Sequence, residues 1–358
     1  MNRYILLFFS LLSGCAAMSQ QNATFTADTV SFKSADGKIT FAGILTKPKG
    51  NKNAPAVVII SGSYQQDRDG NMAGHPIFAQ IAEYLSANGV AVLRLDDRGT
   101  GKTTGAYETA TTEDFADDAL NAVQFLKGFE DIDPKRIGLL GHSEGAAAAT
   151  IAAGKSRDVK FIVSIAGLAM SGYESLIRQN EDLVNSSQLS EVDKKRSNEI
   201  NEMMFKVAYK YAKSDSLENM LNKTYAGWKL KDDAYFKTLN IPYDHFRFPI
   251  YSYVHTATGP WYRYFVRYNA AEMLKKVNVP ILALNGDKDI MVDAEANLAN
   301  WKNYSAAGGN RKVRTVMLSG LNHLFLPCQT CTLAEYRTIK ADFSSRALEI
   351  ITRWVQTM

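Results

Sequence analysis

Gly141-His142-Ser143-Glu144-Gly145 lies where the apolar run Arg136-Ile137-Gly138-Leu139-Leu140 ends and the alanine-rich run Ala146 to Ala153 begins. The first run has the look of a buried strand, and the second is a strong helix former. A serine between them, with glycine two positions to either side, reads as a nucleophile elbow. Such a turn needs small residues because the backbones pack closely, and it lifts the hydroxyl off the sheet edge at a helix N-terminus.

Working outward, Val30 to Lys33 and Ile39 to Leu45 flank Asp36-Gly37, which predicts an antiparallel hairpin. From Ala56 onward, apolar strands alternate with helical stretches. Val57 to Ile60, Phe78 to Asn88, Val90 to Leu95, Glu113 to Lys127, the elbow pair and Phe161 to Ile165 follow in turn. This rhythm predicts an α/β fold with a mostly parallel sheet and helices on both faces. It breaks between Gly172 and Tyr268, where charged helical segments such as Glu191 to Lys213 lead into an irregular aromatic stretch, Pro242 to Tyr264. It resumes with Val279 to Leu284, a helix over Ala294 to Tyr304, Lys312 to Leu318 and a helix over Phe343 to Gln356. The expected organisation is a core over 25–171 and 269–358, with 172–268 inserted as a cap above the carboxyl edge of the sheet.

A formal net charge of +4 over 358 residues, with no stripe of lysine or arginine, gives no support for nucleic acid as a partner. The first 18 residues read as an export signal. Arg3 supplies the positive region, Tyr4 to Leu12 a short apolar region, and Leu12-Ser13-Gly14-Cys15 resembles a bacterial lipobox. Its use would start the mature chain at a lipid-bearing Cys15, in the periplasm or cell envelope. Cleavage after Ala17 or near Ala23 would give a soluble exported protein instead. Cys328 and Cys331 then remain as an even pair in an oxidising compartment, which predicts a small disulfide loop. No second ligand pair is spaced for zinc, and neither a metal nor an organic cofactor is expected.

A serine hydroxyl needs a base to take its proton and a group to orient that base. His142 adjoins the serine and is expected to point away from it, in packing. His75, His245 and His255 precede the last two strands. His323 follows the strand Val313 to Leu318 directly, on a loop that would return it to the serine, and it is the expected base. The loop after the preceding strand, Asn285-Gly286-Asp287-Lys288-Asp289-Ile290-Met291-Val292, offers Asp287 and Asp289, with Asp293 just beyond. The chain order serine, acid, histidine is that of α/β-hydrolases.

On these residues the chain resembles the α/β-hydrolase superfamily. Within it, the match is to bacterial esterases with an SGSGPQDRD-like segment after the third strand, here Ser61-Gly62-Ser63-Tyr64-Gln65-Gln66-Asp67-Arg68-Asp69. The resemblance implies that the acid is Asp289, the last residue of the GxxD part of a GxxDxxV pattern at Gly286, Asp289 and Val292. It also implies that the amides of Glu144 and of Ser63, or failing that Tyr64, form the oxyanion hole. Asp96-Asp97-Arg98-Gly99-Thr100-Gly101 resembles the family's loop of acid and guanidinium that braces its neighbours. Thr258-Gly259-Pro260-Trp261-Tyr262 resembles its aromatic return from the cap, either as packing or as a substrate wall. The expected activity is a carboxylesterase on short acyl esters, acting through an acyl-enzyme on a small-molecule substrate. The alternatives are a serine peptidase, a thioesterase, and a surface lipoprotein that binds a ligand with a silent hydrolase fold.

Overall fold

A computed structural model describes residues 24–358. The export signal over 1–18 and the lipid-attachment candidate Cys15 lie outside the described residues. The chain opens with strands β1 (Phe25–Lys33) and β2 (Thr40–Pro48), which pair antiparallel across the turn at Gly37. Then come β3 (Ala54–Ile60), the two-residue strands β4 (Asn71–Met72) and β5 (His75–Pro76), helix α1 (Ile77–Ala87), β6 (Ala91–Leu95) and α2 (Thr112–Leu126). The elbow strand β7 (Ile132–His142), α3 (Glu144–Lys155) and β8 (Ile162–Ile165) follow. Helices α4 (Gly172–Asn185), α5 (Glu191–Tyr211), α6 (Leu217–Thr238), α7 (Ile250–Thr258), α8 (Pro260–Phe265) and α9 (Ala270–Leu274) separate β8 from β9 (Ile281–Gly286). The chain closes with α10 (Ala294–Ala307), β10 (Val313–Leu318), α11 (Leu333–Tyr336) and α12 (Ser345–Gln356).

Eight strands form one sheet in the order β1-β2-β6-β3-β7-β8-β9-β10, antiparallel at β1/β2 and β2/β6 and parallel from β6 to β10. Every residue of β3, β8 and β9 is buried, as expected of parallel strands covered on both faces. Alternation sorts their side chains between two cores. Val58, Ile60, Ile137 and Leu139 pack with Ala116, Val123 and Leu126 of α2, the alanines of α3 and Trp301 of α10. Val57, Ile59, Leu140 and Val163 pack with Ile77, Ile81 and Leu85 of α1 and with Leu348, Ile351 and Val355 of α12.

The helices α4 to α8 build a third core of their own, from Ile200, Met204, Leu217, Leu221, Trp228, Phe248 and Tyr262. Here the structure corrects the reading of Pro242 to Tyr264 as irregular throughout, since only its first part lacks helix and residues 250–258 and 260–265 are helical. Prolines hid this. Pro249 precedes α7 and Pro260 sits at the start of α8, where its fixed φ and missing N–H suit a first turn. Asp232, Asp233 and Asp244 also come together in this region. Their charge is met from within the chain, because the buried Arg196 guanidinium donates to Asp232 and Asp244 at 2.7–2.9 Å and Lys229 pairs with Asp233.

Candidate active site

The carboxyl ends of β3, β6, β7, β9 and β10 meet at one edge of the sheet, and the sequence places a polar loop after each of them. At the end of β7 the backbone of Ser143 turns into the left-handed region, φ 54° and ψ −121°. This costly conformation is held on both sides. The Ser143 N–H donates to the Ile165 carbonyl at 3.0 Å, and its own carbonyl accepts from Ala146 (3.1 Å) and Leu168 (3.2 Å). The side chain therefore stands at the N-terminus of α3, facing the loop after β3. A Cβ added to Gly62 would lie 3.0 Å from Ser143 Cβ.

His323 and Asp289 meet on the same edge. His323 Nδ1 lies 2.8 Å from Asp289 Oδ2, and both residues are buried. Asp289 Oδ1 accepts from the amides of Met291 (2.8 Å) and Val292 (3.0 Å), while Asn285 Nδ2 reaches Oδ2 at 3.1 Å. With its carboxylate so held, the ring is fixed with Nδ1 toward the acid and Nε2 free for chemistry. Asp287, the other acid of this loop, points elsewhere. It accepts from the Gly320 amide at 2.7 Å and from Ser319 Oγ at 3.1 Å, bracing the start of the histidine loop. Asp293 caps α10 through the Ala296 amide. His75 bonds to the Tyr336 carbonyl, His245 is exposed between α6 and α7, and His255 is exposed on α7.

His142 is buried in packing, between Phe78 and His323: its ring lies 4.8 Å from that of His323, and its Nε2 is 3.2 Å from the His323 carbonyl. That acceptor assigns the proton to Nε2. Burial, followed by the neighbouring His323, lowers the His142 pKa to about 3, so the ring stays neutral.

The amides expected to serve as oxyanion donors are set among three loops. Among the described residues no protein acceptor takes the amides of Ser63 or Glu144. Behind them, Asp96 accepts from the backbone and guanidinium of Arg68, and Arg98 binds Asp118 at 2.7–2.8 Å. Asp97 accepts from Ser61 Oγ (2.6 Å) and the Gln66 amide (2.8 Å), so it grips the loop after β3 on both sides of Gly62 and Ser63.

Asp97 carries a pH signature. Burial raises its pKa to about 7, against opposing hydrogen bonds from Ser61 and Gln66. The folded chain thus holds a proton that the unfolded chain releases near pH 4, so stability falls as pH rises between about 4 and 7. Melting temperatures of the wild type measured from pH 5 to 8 should decline, and Asp97→Asn should flatten that slope. An unchanged slope in the variant would remove Asp97 as its source.

The largest omission from the sequence reading is the Glu144 side chain, singled out there only for its amide. Its carboxylate is buried and accepts from Ser63 Oγ (2.6 Å), Thr112 Oγ1 (2.6 Å) and Trp261 Nε1 (2.8 Å). Burial raises its pKa, and the three donors oppose the rise. The aromatic segment at Thr258 to Tyr262 was the available signal, because it carries Trp261 to this place. Further along, Cys328 and Cys331 are joined in a disulfide just after the His323 loop, with the Cys328 amide bonded to the Gly320 carbonyl.

The family model described as X-Pro dipeptidyl-peptidase (S15 family) matches residues 36–325. Esterase EstD of Thermotoga maritima is 26% identical over 330 residues, covering 92% of this chain and 68% of that protein. Thiohydrolase apmlB of Arthrinium phaeospermum is 32% identical over 144 residues, 39% of this chain and 42% of that relative, so the chain spans under half of its length. Among solved structures, an esterase of Pyrococcus furiosus superposes with a TM-score of 0.56 at 15% identity, covering 94% of this chain and 92% of that one, a likeness of fold. With an eight-stranded hydrolase sheet, an elbow serine and a family match over most of its length, this chain is an α/β-hydrolase and belongs to the X-Pro dipeptidyl-peptidase (S15) family.

Proposed function

We propose that the protein is a serine esterase that cleaves short acyl esters through an acyl-enzyme. The observation that carries this is the strained Ser143 at the N-terminus of α3, on the same sheet edge as a His323 whose Nδ1 is already bonded to Asp289. In this reading Ser143 Oγ attacks the acyl carbon as His323 Nε2 takes its proton. The amides of Ser63 and Glu144 then receive the developing oxyanion. Collapse expels the alcohol with the proton from Nε2, water repeats the attack on the acyl-enzyme, and the second collapse frees the acid.

Two observations bear on the leaving group. The family's description as a peptidase favours an amide reading, in which a carboxylate would be needed for the substrate's amine. Yet the acids around the serine are engaged within the chain: Glu144 by three donors, Asp289 by His323 and two amides, Asp97 by Ser61 and Gln66. The esterase relative agrees with this. We also propose export with lipid attachment at Cys15, on the strength of the lipobox-like Leu12 to Cys15 and the disulfide.

One experiment tests both. A fluorophosphonate probe applied to expressing bacteria should label the protein at Ser143 in the membrane fraction, and Cys15→Ser should move the labelled band to the soluble fraction. Acyl nitrophenyl esters should then be turned over in preference to aminoacyl-prolyl anilides. Turnover of anilides alone would replace the esterase reading with the peptidase one, and no label on Ser143 would end both.

A further inference from the structure

Glu144 is a strange residue to bury. A carboxylate withdrawn from water is costly unless its oxygens are fully hydrogen-bonded, and no cation lies among its bonded partners. The three donors come from three separate parts of the fold. Ser63 belongs to the loop after β3, Thr112 is the first residue of α2, and Trp261 is in the first turn of α8. Oε1 takes Thr112 and Trp261, and Oε2 takes Ser63.

Two features make this more than a structural tie. Glu144 offers one oxyanion amide from its own backbone, and its side chain holds the residue that offers the other. A single residue thus sets the separation of the two donors. The third partner, Trp261, stacks on Phe265 at 5.1 Å and is followed by Tyr262, which bonds to Tyr253 in the core of the inserted helices. The indole N–H and the carboxylate thus connect α8 to Ser63.

We propose that Glu144 is a positioning residue that couples the cap to the oxyanion hole, so that the seating of α8 sets the spacing of the two amides. This rests on the reading of Ser63 and Glu144 as the oxyanion donors. It makes Trp261 a determinant of rate rather than a wall that only binds the acyl group. The link has a defined order, Trp261 to Glu144 to Ser63, and cutting it at either end releases the same amide.

The test is a mutant cycle on a short acyl nitrophenyl ester, with the rate of fluorophosphonate labelling as a second readout. Trp261→Phe keeps the aromatic bulk and loses the N–H, while Ser63→Ala keeps the amide and loses the hydroxyl. Each is expected to lower kcat about 10-fold with KM little changed, part of the loss seen when an oxyanion donor is removed outright. The double variant should lose no more than either single one, because both cut one link. Glu144→Gln should regain most of the kcat lost in Glu144→Ala, since its carbonyl can keep Thr112 and Trp261 and its amide can donate to Ser63 Oγ. Losses that multiply to about 100-fold, or a Trp261→Phe effect confined to KM, would overturn the coupling. If Glu144→Ala does not fold, the Trp261 and Ser63 variants decide the matter alone. Failure of the esterase reading looks different, because the wild type itself would then neither label nor turn over ester.

Discussion

Asp289→Asn is expected to lower kcat by about 10³- to 10⁴-fold while leaving the fold and KM nearly intact, the scale of loss when a triad acid is made neutral. The cause lies in the hydrogen bonds that already surround the carboxylate. Oδ1 accepts two amides, from Met291 and Val292, so the carbonyl of the introduced asparagine is drawn to that side. Its NH2 group then faces His323 Nδ1. Two donors cannot share that bond, and the imidazole answers by moving its proton to Nε2, the nitrogen that must accept from the serine. The base is thereby placed in the wrong tautomer without any loss of packing. Asp287→Asn should behave differently. Its carboxylate serves the Gly320 amide and Ser319 Oγ, and an asparagine carbonyl can still accept from Gly320. A loss within about 10-fold is expected, accompanied by a lower melting temperature as the histidine loop loosens. Steady-state kinetics of the two variants side by side decide the acid, and a greater loss at Asp287 would reverse the assignment.

That these two acids can be told apart in the structure shows where sequence reading works and where it stops. The elbow and its strand were legible because β3, β9 and residues 137–142 of β7 are largely apolar runs buried throughout, a pattern that needs no partner to be read. His323 was legible because the loop after a parallel strand has one edge to return to. The direction of a side chain within such a loop was not legible. Asp287 and Asp289 are two residues apart in one loop, and their roles are divided by hydrogen bonds to Gly320 and to His323, more than thirty positions away. Glu144 presents the same limit more sharply. Its position in the motif admits many residue types, and the meaning of its carboxylate depends on Trp261, 117 residues distant. The ring of His142 is defined in the same way by a carbonyl 181 residues on.

Gly145→Ala is expected to damage activity and stability together, and the reason is distance rather than backbone handedness. A Cβ built on Gly145 would stand 2.3 Å from the Ile60 carbonyl oxygen and 2.5 Å from that of Ser61. Both are backbone atoms, so no side chain can swing aside. Either α3 must withdraw from the sheet or the end of β3 must move, and the residues that follow Ser61 are Gly62 and Ser63, the proposed oxyanion loop. Overpacking at such a site costs about 1–3 kcal/mol. Displacement of the loop by about an ångström adds a catalytic loss of about 10²-fold in kcat/KM. Gly227→Ala serves as the control, since that exposed glycine lies within α6 with nothing near the place a Cβ would occupy. It should leave kcat/KM unaltered and stabilise by about 0.5–1 kcal/mol, the helix preference of alanine over glycine. Melting temperature and kcat/KM measured on the two variants separate the effects. A Gly145→Ala enzyme that melts earlier but keeps full kcat/KM would show that the contact between α3 and β3 supports the fold alone, and that the oxyanion loop is positioned by Asp97 and Glu144 without it.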